Sequence, residues 1–411
     1  MSAVAMAMSL AGCSVELPTI DDRLKPIAKP LLVDGADQGG EPILKTSQPE
    51  PYASIIRQNY GEVRFRFDDN LRTLEIDRLR VRQSRLPQIT PGLSTSVRSV
   101  ASVDLNIRQV LFNGDLSKAM FQDADMQAVN RQIDLLESLN DDVLEDILTY
   151  LSYRENTERS RLLSNLARRL EDLLSVAETR LQGGIGTADE VTLFQLELTE
   201  VETEALIAKS DAAVDLSTLE NINARIPPRP FVENNSLLPI EILSALAGRD
   251  QARVDLAVAK EESEPRLVLA ANTGINSMTG VLSNNAGLIV EADPLQFGGD
   301  ADILSAEQAV FLAERELDDT VLDVEKETRR LLQQISALQT QERQTSVLVD
   351  QTQLRLDAFQ EQFLAGSSGL SEAAGLVDTL RRSLEQKVDV RYRILSLQSE
   401  LAANLGHFWE F

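Results

Sequence analysis

The 411 residues carry 65 acids against 40 bases, a formal charge of −25, so the basic stripe of a nucleic-acid binder is missing. One cysteine and one histidine exclude an internal disulfide, a zinc site built around them, and a Cys–His or Ser–His–Asp centre. Aromatic residues make up only 4% of a chain rich in Leu, Ala, Glu, Gln and Arg, a composition suited to helices packed along their length rather than to a thick globular core.

The first twelve residues are short, apolar and uncharged, and they run into Leu10-Ala11-Gly12-Cys13. This tetrad resembles a bacterial lipoprotein signal, which implies cleavage after residues 1–12 and acylation of Cys13. By the same resemblance, Ser14 in place of Asp goes with retention at the outer membrane. Two acyl chains on one residue are enough for a stable anchor. No apolar run of about 18 residues follows, so no membrane-spanning helix is expected. Residues 13–53 are rich in Pro, Gly and Asp and read as an acylated N-terminal tether.

Beyond the tether the chain repeats itself. A strand pair followed by a long helical hairpin occupies 54–230, and its landmarks recur about 180 residues later in 231–411. Periods of 20–50 residues mark solenoids, so one this long means a duplicated half-molecule.

In the first copy Ile89, Pro91, Leu93, Thr95 and Val97 alternate with polar or small residues, and Val103, Leu105 and Ile107 alternate with Asp104, Asn106 and Arg108. In the second, Leu267, Leu269, Ala271, Thr273 and Ile275 form one row and Leu288, Val290 and Ala292 another. Period-2 alternation marks strands with one apolar and one wet face, and about 10 residues is the length of a tilted barrel strand. Four strands make a sheet with two open edges, which a membrane forbids. Closure takes at least about eight strands, and three chains would supply about twelve.

Each strand pair leads into a stretch free of Gly and Pro, from Asp115 to Gln182 and from Asp300 to Ala365. As one helix, the first would be on the order of 100 Å long. Asp115 and Asp300 follow glycines and stand where an N-cap is expected. Leu163, Leu166, Leu170, Leu173 and Ala177 step by three and four, as do Val321, Val324, Thr328, Leu331, Ile335 and Leu338, which predicts side-by-side packing.

Glycine-rich turns end both stretches, at Gly183, Gly184 and Gly186 and at Gly366 and Gly369. The first return helix is predicted from Thr187, with an apolar row of Val191, Phe194, Leu198, Val201, Ala205, Ala208 and Ala212. Beside it runs an acidic row of Glu190, Glu197, Glu204 and Asp211, which is either a solvated outer face or the lining of a wet lumen. Pro227, Pro228 and Pro230 break this leg, and it resumes from Leu237 to Glu264. The second return leg, from about Leu370 to Leu405, is only half as long. A helix ending at Arg85 supplies its missing half, with Gly61 to Phe67 expected to interrupt that helix.

These residues resemble the TolC-like outer membrane efflux protein family over nearly the whole chain from about residue 54. The resemblance is carried by Arg85-Leu86-Pro87, by Gln109-Val110-Leu111-Phe112-Asn113-Gly114-Asp115, by Gln296-Phe297-Gly298-Gly299-Asp300, and by the turn from Gly184 through Thr187 to Glu190 and Val191. Gly366, Gly369 and Glu372 take corresponding places in the second copy.

The resemblance implies a mainly helical fold with a transmembrane β part. It would be a homotrimer with a 12-stranded barrel continuous with an α-helical periplasmic barrel. It implies the exit duct of a tripartite efflux or type I secretion system in a Gram-negative outer membrane. Such a duct docks a periplasmic adaptor and, through it, an inner-membrane pump or ABC transporter. No catalysis and no cofactor are implied.

The two turns would form the periplasmic, adaptor-docking end. Glu190 and Glu372 would there either favour the helix N-termini through the dipole or form a ring of acids at the mouth. A periplasmic adaptor would carry one hairpin rather than two, and a lipid-anchored coiled-coil scaffold would leave the alternating strands unexplained. Gly184-x-Gly186-x-x-Asp189 faintly resembles a dinucleotide fingerprint, but it lacks the third Gly and follows a helix.

Overall fold

A computed structural model describes residues 52–96, 99–219, 238–276, 282–291, 300–364 and 370–406. The chain order is α1 (Tyr52–Gln83), β1 (Gln88–Ser96), β2 (Ser99–Phe112), α2 (Leu116–Gln182), α3 (Ala188–Thr218), α4 (Ile240–Glu262), β3 (Arg266–Asn276), β4 (Leu282–Glu291), α5 (Asp300–Leu364) and α6 (Leu370–Asn404). The lipoprotein tetrad with Cys13, the triple-proline break, the turn holding Gly366 and Gly369, and the residues from His407 onward lie outside the described residues.

Helices α2 and α5 run unbroken for 67 and 65 residues, as expected of segments without a helix breaker. Helix α1 departs from expectation in two ways. It begins at Tyr52, just inside the segment assigned to the tether, and it passes through Gly61–Phe67 without a break. A lone interior glycine costs about 1 kcal/mol relative to Ala, too little to end a helix with turns on both sides. What ends it is Pro87, which disfavours helical backbone at Leu86; a turn closes through Leu86 N–H donating to the Gln83 carbonyl at 3.0 Å.

The four strands form one antiparallel sheet in the order β1-β2-β3-β4. The β2–β3 ladder joins the two copies of the repeat, and β1 and β4 are the edges. The alternation sets the faces: Thr90, Asn106, Asn272 and Asn285 pair in one cross-strand row, and Ile89, Ile107, Ala271 and Ala286 in the next, on the opposite face.

Two compact units emerge, and they cut across the sequence repeats. Val63–Leu136 and Ile240–Leu322 belong to the first, which holds the sheet. In it Asn70 Nδ2 donates to the Ala128 carbonyl at 3.1 Å and Arg78 pairs with Asp125 at 2.7 Å, joining α1 to α2. Asn130 and Asp123 of α2 both bond Gln251 of α4, at 3.3 and 2.8 Å. From α4, Arg253 and Lys260 reach Glu314 and Glu307 of α5, at 2.9 and 3.3 Å. The helices therefore neighbour one another in the order α1, α2, α4, α5, which is the order of the strands they adjoin.

The second unit takes the described residues of Gly40–Glu62, Glu137–Pro239 and Asp323–Phe411. Its core is where the heptad reading lands: Leu163, Leu166, Leu170, Leu173 and Ala177 of α2 are all buried against Phe194 and Val201 of α3, Leu356 and Phe363 of α5, and Val377 and Leu380 of α6. Leu331 and Ile335 of α5 pack with Ile394, Leu397 and Leu401 of α6. No helix among the described residues is long and apolar enough to cross a membrane.

Candidate functional site

The first-copy turn is built by its backbone. At the end of α2 the Arg180 carbonyl accepts from both Ile185 N–H and Gly186 N–H at 3.0 Å, and Gly184 N–H donates to Leu181 O. Gly184 sits at φ +75°, a left-handed conformation that a Cβ would strain. Gly186 answers a different need, since a Cβ there would lie 2.8 Å from Leu181 N. Thr187 then caps α3: its hydroxyl accepts from Glu190 N–H at 3.3 Å. Val191 is half-buried against the core cluster.

Glu190, read from sequence as either a helix-terminus carboxylate or a mouth acid, is buried at 8% exposure. Its carboxylate lies 3.8 Å from Arg180 Nε, with both side chains about one-tenth exposed. Arg180 also donates to the Phe363 carbonyl in the last turn of α5 and lies over the Phe363 ring, 4.5 Å from its centroid. Phe363 in turn meets Phe194 edge-on at 5.7 Å and stacks on Phe359 at 5.6 Å. One arginine thus ties the first-copy turn to the end of the second-copy helix. Sequence reading did not single out Arg180, although a base in the last turn of a helix is a recognisable dipole partner.

Of the second-copy residues, Gly366 and Gly369 lie outside the described residues, and Glu372 is placed only by its backbone, in the first turn of α6. The two turns are therefore not brought together as one site here.

The acidic row of α3 does not behave as one row. Glu190 is buried, Glu197 and Glu204 are half-buried and Asp211 is exposed. Arg381 of α6, with a side chain only 13% exposed, holds Glu204 together with Glu200 at 3.2 Å and Asp378 at 3.1 Å. Just over two turns further along α6, Asp389 pairs with Arg159 of α2, which also reaches Glu155 at 2.7 Å. Between these groups is an open cavity of about 320 Å³ lined by Arg159, Glu204, Ile207, Ala208, Asp211, Glu385 and Asp389.

Carboxylates outnumber arginines here, and the titration follows. Burial pushes the Glu385 carboxyl up, and nearby Glu204 adds to the effect against Arg381 and Arg159. Burial likewise raises Glu155 and Glu197, the latter reinforced by Glu200. Among the described residues no group of three or more His, Cys, Asp or Glu is arranged to hold a metal ion. The arrangement joins three helices by charge and leaves an acidic, water-accessible surface.

No protein-family model matches the chain, and no curated protein matches it by sequence. Solved structures do. The outer membrane protein VceC from Vibrio cholerae superposes with a TM-score of 0.71 at 14% identity, over 86% of this chain and 96% of that one. The CmeC outer membrane channel of Campylobacter jejuni matches at 0.68 and 12% identity, over 92% of each chain. The open-state MtrE outer membrane channel of Neisseria gonorrhoeae matches at 0.64 and 14% identity, over 86% of this chain and 88% of that one. At such identities the shared property is the fold, and it is the fold that the TolC-like resemblance implies.

Proposed function

We propose that this chain, which has the fold of solved outer-membrane channels, is itself the exit duct of a tripartite efflux or type I secretion system: a passive conduit through the outer membrane and periplasm of a Gram-negative bacterium. The observation that carries this reading is the matched order of strands and helices, with both ends left open. Among the described residues, strands β1 and β4 are the edges of a four-stranded sheet, and the helices adjoining them, α1 and α5, are the ends of the helix series. A sheet placed in a bilayer must close, and about twelve strands from three chains do so. The helices then close with it, because they share the order of the strands.

In this reading the polar row of Thr90, Asn106, Asn272 and Asn285 faces the water-filled interior and the Ile89–Ala286 row faces lipid. The turns at Gly184, Thr187, Glu190 and Val191 and at Gly366, Gly369 and Glu372 form the periplasmic end that docks an adaptor, and through it an inner-membrane pump or ABC transporter. Glu197, Glu204 and Asp211 belong to the wall near that end. Cys13 is acylated and anchors the chain to outer-membrane lipid. Energy enters at the inner membrane, so no catalytic residue is assigned.

The full-length chain, purified in detergent, should be a trimer by light scattering and should open steady conductances in a planar bilayer. A monodisperse folded monomer that conducts nothing would remove the reading. Lipidation is tested separately: Cys13→Ser should abolish fatty-acid labelling of the mature protein, and an unlabelled wild type would refute the anchor alone.

A further inference from the structure

The helices that end the series in the first unit carry opposite charge and matching apolar stripes. In α1 the buried side is Asn70, Leu74 and Val81, turned to α2. At 100° per residue, Ile76 and Leu79 fall on the opposite side, with Arg72 between them in angle, and both apolar residues are about half exposed. From position 72 to 85 Arg78 and Arg85 turn to Asp125 and Ser117 of α2 and Asp77 to Arg131, which leaves Arg72, Arg80 and Arg82 exposed against Glu75 alone. Arg72 reaches Asp69 on its own helix as an exposed i,i+3 pair at 3.7 Å, which contributes little, and the exposed Arg80 reaches Asp77 at 3.0 Å, an acid that Arg131 of α2 shares.

Helix α5 offers the complement. Its side toward α4 carries Glu307 and Glu314, and Leu304, Phe311 and Leu322 lie roughly 60° around from it, each more than half exposed. Over residues 300–322 acids outnumber bases by seven to one, and Asp318 and Asp319 flank the stripe.

We infer that the joint between neighbouring copies of this chain in the first unit is a charge-matched helix pair, with the basic outer face of α1 from one copy docked on the acidic outer face of α5 from the next. The occupant of each face is a second copy of this chain for two reasons. The charges are complementary, and each face continues an edge strand, β1 or β4, that needs the same neighbour. Such a contact is heterologous, and heterologous contacts build a ring when the rotation between copies closes, as the closed barrel of the conduit reading requires. Like charges would meet if α1 faced α1 or α5 faced α5, so the pairing also fixes the direction around the ring. The inference rests on the conduit reading above and adds the residues that choose the partner face.

Charge reversal tests it on the full chain in detergent. Arg72→Glu with Arg80→Glu should weaken the oligomer on the order of tenfold at low ionic strength, and so should Asp318→Lys with Asp319→Lys. Carrying all four substitutions should restore assembly toward the wild type, which also shows that the altered helices still fold. Added salt should narrow the differences, because exposed charges are screened beyond a Debye length of about 10 Å at 0.1 M. If all variants assemble like the wild type while bilayer conductance persists, the charged joint is wrong and the conduit stands. If both paired variants fail and the quadruple variant fails too while remaining helical, complementarity is refuted. A wild type that is monomeric and non-conducting overturns joint and conduit together.

Discussion

The two ends of helix α5 behave as though they belonged to different proteins. From 301 to 322 no residue is buried, and Leu304, Phe311, Leu312 and Leu322 stand in solvent. From 349 to 363 the same helix buries Val349, Leu356, Phe359 and Phe363 against three other helices. The backbone is equally regular in both, so regularity reports nothing about where stability resides. At its far end the helix is packed into the core of its own chain, whereas beside the sheet it leaves apolar side chains exposed.

The contrast is broken most severely by truncating its rings. Phe363→Ala should destabilise the fold by about 3–5 kcal/mol, since a buried aromatic with two ring neighbours leaves a cavity, whereas Phe311→Ala should change the unfolding free energy of a dissociated chain by less than about 0.5 kcal/mol. Denaturant titration of the two variants side by side measures the gap, and equal losses would contradict the burial assigned to them. Next in size is Glu190→Gln, which removes the charge facing buried Arg180 and should cost about 1–3 kcal/mol by the same titration. No loss there would mean that Arg180 is held by Phe363 alone.

Thr187→Ala tests the cap of α3 and should cost about 1 kcal/mol, with Thr187→Ser recovering most of it. The smallest effect is one of pH. The Glu385 carboxyl is raised by burial, with Arg159 facing it from α2, Glu204 and Asp211 from α3, and Arg381 and Asp389 on its own helix. A carboxyl that titrates higher folded than unfolded binds its proton first in the folded state. Its contribution therefore weakens stability as pH rises through that window and strengthens it as pH falls. The melting temperature should rise slightly from neutral to mildly acidic pH, and Glu385→Gln should flatten that slope while raising the neutral-pH value. A steeper slope in the variant would assign the dependence to other groups.

Much of the architecture was legible in the sequence because it is local. Freedom from Gly and Pro from 115 to 182 and from 300 to 364 dictates long helices, alternation at 89–97 and 267–275 dictates strands, and Thr187 before an acidic turn dictates a helix start. The heptad leucines of α2 foretold the core side, since spacing alone decides which side chains share a face. Gly61 misled because a single residue's propensity is a weak force against a 32-residue helix.

Only the tertiary structure could decide what lies across from what. Glu190, Glu197, Glu204 and Asp211 are seven residues apart and identical in pattern, yet one is buried on Arg180, one is held by Arg381 and one is exposed. Their partners come from α2 and α6, up to 177 positions distant. Sequence periodicity assigns a residue to a face of its own helix. The environment of that face depends on long-range pairing of helices, which no local pattern encodes.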